Sequence, residues 1–539
     1  MSGSLVLVVS VVVFVAGYRF WGRKVASWLG VQPDRPTPAH TRPDGVDYVP
    51  TRPSVLLGHH FSSIAGAAPI IGPIAAASYG WVAVLLWILL GGVFMGAVHD
   101  FSALIISVRH DGRGLGSVLE ERVGRGMKNL FLVFVFAALL LVIGVFTNAV
   151  AMTFVAVPET ATASLLFIAL AVGFGLSVYR FDVPFVPATI LGVALLAACM
   201  VFGNHFPLRW TFQGWRWVLI GYIFLASTLP VQYLLQPRDF LNSFILYAML
   251  AVLVGGILVA DPELRLQAAP VWNTAAGPLF PLLFVTVACG ALSGFHSLVA
   301  SGTTSKQLSS EAHAQPIGFG GMLIESLLAV AALITAAVLS SGEYAAAAKN
   351  PIGLFSSSAA ELCTAIGLPV RFGRLFMSLS VAAFAMTSLD TATRLGRFAL
   401  QELVEAPRPG PARRLLSNRY PATGITVLLA ALLIFSGSAN EIWPVFGAAN
   451  QLVAALAFLT ISIWLVFIRR PSLFALIPGT FIYFMTMTAL AYNIYNFGHQ
   501  DKWTLAVISA FLLVLALGLG VTGVRAILRA HRSQAKGET

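Results

Sequence analysis

The chain has 539 residues, 58% of them hydrophobic and only 10% charged. No water-soluble core consumes that much apolar sequence, so the composition places the protein in a bilayer and excludes a soluble enzyme or binding module. The net charge of +11 does not point to nucleic acid, because most of the Arg and Lys stands between apolar runs, where it sets topology.

Runs of about 20 apolar residues between polar breaks predict about fifteen membrane spans. In order they are 4–22, 55–79, 81–107, 128–155, 161–180, 185–203, 216–235, 243–260, 279–301, 318–340, 371–393, 420–437, 442–468, 472–493 and 503–525. The first has no basic stretch before it and Arg19, Arg23 and Lys24 after it, so it reads as a retained helix rather than a cleaved leader. Basic residues crowd every second connector: Arg19 to Arg52, Arg109 to Arg125, Arg180, Arg238, Lys306, Arg394 to Arg419, Arg469 and Arg470, and the tail from Arg525. That alternation predicts the N-terminus outside and the C-terminus in the cytoplasm. Cys199, Cys289 and Cys363 lie in or near apolar segments and form no disulfide framework or metal spacing. The pieces 23–54, 341–370 and 394–419 are too short for a soluble domain, and 405–414, EAPRPGPARR, reads as a flexible cytoplasmic linker.

Two spans are built unlike the rest. Residues 55–80, VLLGHHFSSIAGAAPIIGPIAAASYG, carry Gly66, Gly72, Pro69 and Pro73. Proline removes a backbone donor and glycine weakens the helix, so this span is expected to be interrupted. Freed backbone groups are tolerated at membrane depth only where protein or a water-lined cavity satisfies them. Residues 277–305, GPLFPLLFVTVACGALSGFHSLVASGTTS, repeat the oddities with Gly290, Gly294, Gly302 and a mid-span His296. By the charge count the two spans run in opposite directions, as in an inverted repeat with a solute site between its halves. The chain divides accordingly into an N-terminal helix and basic connector (1–54), a first repeat with additional helices (55–260), a second repeat (261–400), and a linker with accessory helices (401–539).

Several stretches resemble the carbon starvation protein A family: LLGHHFSSIAGAAPIIGP (56–73), GAVHDF (96–101), RHDGRGLG (109–116), LPVQYLLQPRDFL (229–241), LFPLLFVTVACGALSGFHSLVASGTTSKQL (279–308), IGFGGMLIES (317–326), LDTATRLGRFALQEL (389–403) and IWPVFGAANQ (442–451). The resemblance implies a bacterial inner-membrane secondary transporter of peptides or, in close relatives, of pyruvate with protons. It also implies a distant relation to the amino acid–polyamine–organocation superfamily. The expected fold is therefore an all-α polytopic membrane protein with a leucine-transporter-like inverted-repeat core, two interrupted helices (55–79 and 279–301) and extra helices. The loop 341–370 is shorter than in longer members.

The candidate solute-binding residues lie at the two interruptions: Gly66, Ala67, Ala68, Pro69 and Gly72 in one, and Ser293, Gly294, Phe295, His296 and Ser297 in the other. Half-helix N-termini offer N–H groups and a positive dipole end to a carboxylate. Ion-coupling candidates are the intramembrane titratable and hydroxyl groups His59, His60, His99, Asp100, Glu325, Thr387, Ser388, Asp390 and Thr391. Glu325 is expected to face His296 or a backbone break. The hydroxyls around Asp390 suit a hard cation, the carboxylate alone suits a proton, and an ordinary pairing with Arg394 at i,i+4 is the competing reading. Asn450 and Gln451 read as helix–helix hydrogen bonders.

The sequence thus predicts a non-enzymatic symporter with no cofactor, taking a small carboxylate such as pyruvate with H⁺ or Na⁺, with short-peptide uptake as the alternative and a membrane metal site at His59, His60, His99 and Asp100 as the alternative of another class. Its partners are that solute and the lipid bilayer.

Overall fold

The computed structural model describes residues 1–45, 47–404, 415–436 and 442–535; the linker expected at 405–414 lies outside them. Eleven helices are long and apolar enough to cross a membrane, and twelve if one bent pair is counted as a span. The expected count of about fifteen is not reached by that measure, and the reason is length. The expected spans at 216–235 and 420–437 are helices of 17 residues, about 25 Å against a hydrocarbon core of about 30 Å. The one at 279–301 is broken into three pieces.

Helix α1 (Gly3–Leu29) starts where Ser2 Oγ accepts the Leu5 N–H at 3.1 Å and stops at Gly30, whose φ of 65° ends the helix in the left-handed conformation. A connector leads to α2 (Pro53–Ile64) and α3 (Ala68–Tyr79), which meet at 43°. The bend follows from the sequence: Pro69 cannot donate to the carbonyl of Ala65, nor Pro73 to that of Pro69. Helix α4 (Trp81–Arg109) contains a π turn at Gly92–Gly96. The extra residue in such a turn rotates the face that follows, which here carries His99 and Asp100.

Then come α5 (Arg125–Ala156), α6 (Pro158–Tyr179), α7 (Phe185–His205), α8 (Phe212–Thr228) and α9 (Leu235–Ala260). The second broken stretch is α10 (Leu279–Thr286), α11 (Ala288–Ala291) and α12 (Gly294–Gly302). The backbone is non-helical at Val287 and extended at Leu292 and Ser293. After it run α13 (Glu311–Ala337), α14 (Pro351–Cys363), α15 (Val370–Leu403), α16 (Arg419–Phe435), α17 (Trp443–Phe467), α18 (Leu473–His499) and α19 (Trp503–Arg529). Among the described residues, extended pairing is confined to one two-residue hairpin, Asn273–Thr274 with Gly277–Pro278, and isolated bridges.

Burial sorts the helices into two shells. The most apolar windows of α4, α5, α13, α15 and α17 are 67% to 89% buried, whereas those of α1, α6, α7, α9, α18 and α19 are 44% buried or less. The broken helices sit within the inner shell and touch one another. A Cβ on Gly72 of α3 would stand 2.6 Å from the Thr286 carbonyl oxygen, closer than any side chain is accommodated, so glycine is what lets α3 lie on the end of α10. Pro73 and Gly290 meet in the same contact.

Candidate functional site

The interruptions create buried backbone, and the residues around them satisfy it. At the second break, Asn450 of α17 accepts the Phe295 N–H at 2.8 Å through Oδ1 and donates to Ser293 Oγ at 3.0 Å through Nδ2. Ser297 Oγ donates to the Gly294 carbonyl. Asn450 thereby caps the N-terminus of α12, and Gln451 Nε2 donates to the Phe284 carbonyl at 2.7 Å. The expectation that Ser293 and Phe295 present an open half-helix end is corrected: α17 occupies that end, and a Cβ on Gly294 would fall 2.1 Å from the Asn450 carbonyl oxygen. At the first break Ala67, Ala68 and Pro69 are buried, and Gly66 packs against Phe146 of α5 and Ser388 of α15.

Next to the capped end lies a chain of ionisable groups from three helices. Asp100 of α4 receives His99 Nδ1 on one carboxylate oxygen at 2.8 Å and His296 Nδ1 on the other at 2.9 Å. His296 of α12 turns its Nε2 to Glu325 of α13 at 3.2 Å, off the hydrogen-bonding direction. All four side chains are fully buried. His60 of α2, whose Nδ1 meets Thr304 Oγ1 at 2.8 Å, lies alongside, with its Cδ2 3.2 Å from where a Cβ on Gly321 of α13 would be. His59 and His60 are core residues, not interfacial ones. Asp100 and Glu325 thus stand on opposite nitrogens of the His296 imidazole, both out of contact with solvent.

A second buried network surrounds Arg238 at the start of α9. Its guanidinium binds Asp239 at 3.0 Å and, more closely, Asp390 of α15 and the hydroxyl of Tyr222 of α8. Tyr222 donates to Asp390 at 2.5 Å, and His59 Nδ1 meets Asp239 Oδ2 at 2.8 Å. The competing Asp390–Arg394 pairing is not formed. Arg394 reaches Asp47 of the connector at 3.0 Å and the carbonyls of Ala226 and Leu229, because Arg238 has already taken the carboxylate. Arg238 is 2% exposed and so is not the loop charge that the topology count made of it.

Its role went unassigned although the sequence held a signal, an Arg–Asp dipeptide opening an apolar run. Such charges are expensive in a membrane unless they face the bundle and pair. Of the hydroxyls near Asp390, Ser388 Oγ donates to the Ser63 carbonyl at 3.0 Å and Thr391 lies 3.4 Å from Ser63 Oγ. Both thus gather at the first break, while Asp390 points away to Arg238. Thr387 donates to Ala383 in its own helix and takes no part.

The sequence model of the family described as "Carbon starvation protein CstA" matches residues 2–371 and 345–489. The chain belongs to the CstA family. Curated relatives agree along most of the length. The "Peptide transporter CstA" of Escherichia coli is 33% identical over 90% of this chain and 80% of its own, and that of Bacillus subtilis is 31% identical over 97% of both. The "Pyruvate/proton symporter BtsT" of Escherichia coli is 30% identical over 97% of this chain and 86% of its own. Among solved structures, the Eremococcus coleocola manganese transporter shares the fold, with a TM-score of 0.55 over 91% of this chain and 99% of that one at 12% identity.

As a member of the CstA family the chain is a multi-pass membrane transporter. The reading as a membrane metal protein is not favoured: among the described residues no group of three or more His, Cys, Asp or Glu is placed to hold a metal ion.

Proposed function

We propose that this CstA-family transporter takes up a small carboxylate such as pyruvate together with protons, across the bacterial inner membrane and with its C-terminus in the cytoplasm. The observation that carries the reading is the Asp100–His296–Glu325 chain, which joins α12, immediately beyond its break, to α4 and α13. A proton held between two carboxylates and an imidazole belongs to a helix that must move if the break is to open. Charge state and conformation are thereby linked.

The opposed broken helices, in contact at Gly72 and Thr286, support an inverted repeat whose halves are 55–260 and 261–400, flanked by the connector 1–54 and the accessory helices 401–539. With α12 capped by Asn450, the solute's carboxylate falls to the first break, Gly66 to Pro69, where the N-terminus of α3 offers N–H groups and a positive dipole end. Glycine packing this close suits a small solute better than a peptide. The peptide reading keeps its place because several relatives carry that name.

Sodium is the second reading for the ion, favoured by the oxygens of Ser63, Ser388 and Thr391 at the first break, which are of the kind a hard cation takes. Uptake of labelled pyruvate into proteoliposomes decides among these. Accumulation under an imposed proton gradient without Na⁺, competed by unlabelled pyruvate and not by di- or tripeptides, is the expected result. Accumulation that needs a Na⁺ gradient, or that peptides abolish, overturns the ion or the solute respectively.

A further inference from the structure

A cavity of about 120 Å³ opens where α5, α12 and α15 diverge, on the side of the breaks that bears the basic connectors. It is far smaller than the roughly 300–1,000 Å³ clefts that take drug-sized ligands. Leu139 and Leu298 form its inner wall. Phe146, two turns or about 10 Å further along α5, is the ring that packs on Gly66, and Leu298 is one turn from Gly294. The cavity therefore lies directly below the two interruptions, separated from them by apolar side chains.

Lys306 lines this cavity. Its ammonium sits over the rings of Phe398 at 4.2 Å and Tyr48 at 5.4 Å. Among the described residues it makes no ion pair within 4.0 Å. Asp47 and Glu402 act on it only from further off, and burial pulls its pKa below the ordinary lysine value against their effect. The aromatic faces hold the cation by its charge while leaving its donors free. Glu402 and Arg113 stand at the same cavity.

We propose that Lys306 is a second carboxylate-binding point, an inner vestibule site that takes the solute's carboxylate between the breaks and the cytoplasm. The inference rests on the transporter reading above and deepens it. An ammonium with free donors binds a carboxylate by charge-assisted hydrogen bonds, and the cavity beside it admits a short carbon chain.

Equilibrium binding of labelled pyruvate, and separately of labelled dialanine, to the purified full-length protein tests this with Lys306→Met and Lys306→Arg. Methionine keeps an unbranched apolar side chain at the cavity and removes the charge. The expected result is a Kd for pyruvate raised roughly tenfold in Lys306→Met and restored to within about threefold in Lys306→Arg, with thermal unfolding of both variants unchanged. Pyruvate binding equal in wild type and Lys306→Met overturns the vestibule site and leaves the transporter reading standing. Dialanine binding that depends on Lys306, with no pyruvate binding, overturns the solute assignment and upholds the carboxylate site. Should Lys306→Met fail to fold, Lys306→Gln is measured in its place, and an affinity equal to wild type there counts against the proposal.

Discussion

Asp390 shows how a buried charge is decided by its neighbours in space rather than in sequence. Its spacing to Arg394 suggests an ordinary i,i+4 pair, yet Arg238, 152 residues away, holds it and Arg394 is spent on Asp47 and two carbonyls. Removing one partner of a buried pair leaves the other charge uncompensated, at a cost of about 3–5 kcal/mol. Asp390→Asn, with Asp239 still on Arg238, is expected near the lower end of that range. Differential scanning fluorimetry in detergent reads the effect as a lowered Tm, and a companion change Arg238→Met is expected to recover part of it. A Tm equal to wild type in Asp390→Asn contradicts the network. The intramembrane histidines and acids were legible in the sequence because such residues are rare in apolar runs. Their partners were not, since chain order says nothing of which helices meet.

The broken helices were legible as elements. Pro69, Pro73 and the glycines forbid a continuous ladder of backbone bonds, and the chain is interrupted at Ala65–Ala67 and at Leu292–Ser293. What closes each break was hidden, because Asn450 lies 155 residues beyond the N–H it caps. Asn450→Ala leaves that buried donor unpaired, at about 1–3 kcal/mol. Hydrogen exchange at Phe295 is expected to quicken by roughly tenfold or more, while amides in α13 are unaffected. Unchanged exchange at Phe295 removes Asn450 from the cap. Gly294→Ala, with no room for its methyl beside the Asn450 carbonyl, is expected to abolish accumulation of folded protein, read as the monodisperse fraction on size exclusion.

For the whole molecule, apolar periodicity located the helices well, and eleven of them are long and apolar enough to cross a membrane, while two of the expected spans are helices of 17 residues. Family membership carries the function as far as transport, and the arrangement of charges narrows it. If Glu325 completes the proton path, Glu325→Gln is expected to retain exchange of labelled for unlabelled pyruvate across proteoliposomes at equal concentration while losing accumulation driven by a proton gradient. A variant that loses both implicates Glu325 in solute binding instead.

The most direct measurement is of the proton itself. Proteoliposomes carrying a pH-sensitive dye inside, in Na⁺-free buffer with valinomycin and K⁺ to clamp the voltage, are given pyruvate outside. Coupled carriage by the Asp100–His296–Glu325 chain predicts acidification of the lumen in wild type, with the carrier-dependent part lost in Glu325→Gln. Pyruvate entering at the wild-type rate with no carrier-dependent proton flux, or proton flux undiminished in Glu325→Gln, contradicts it.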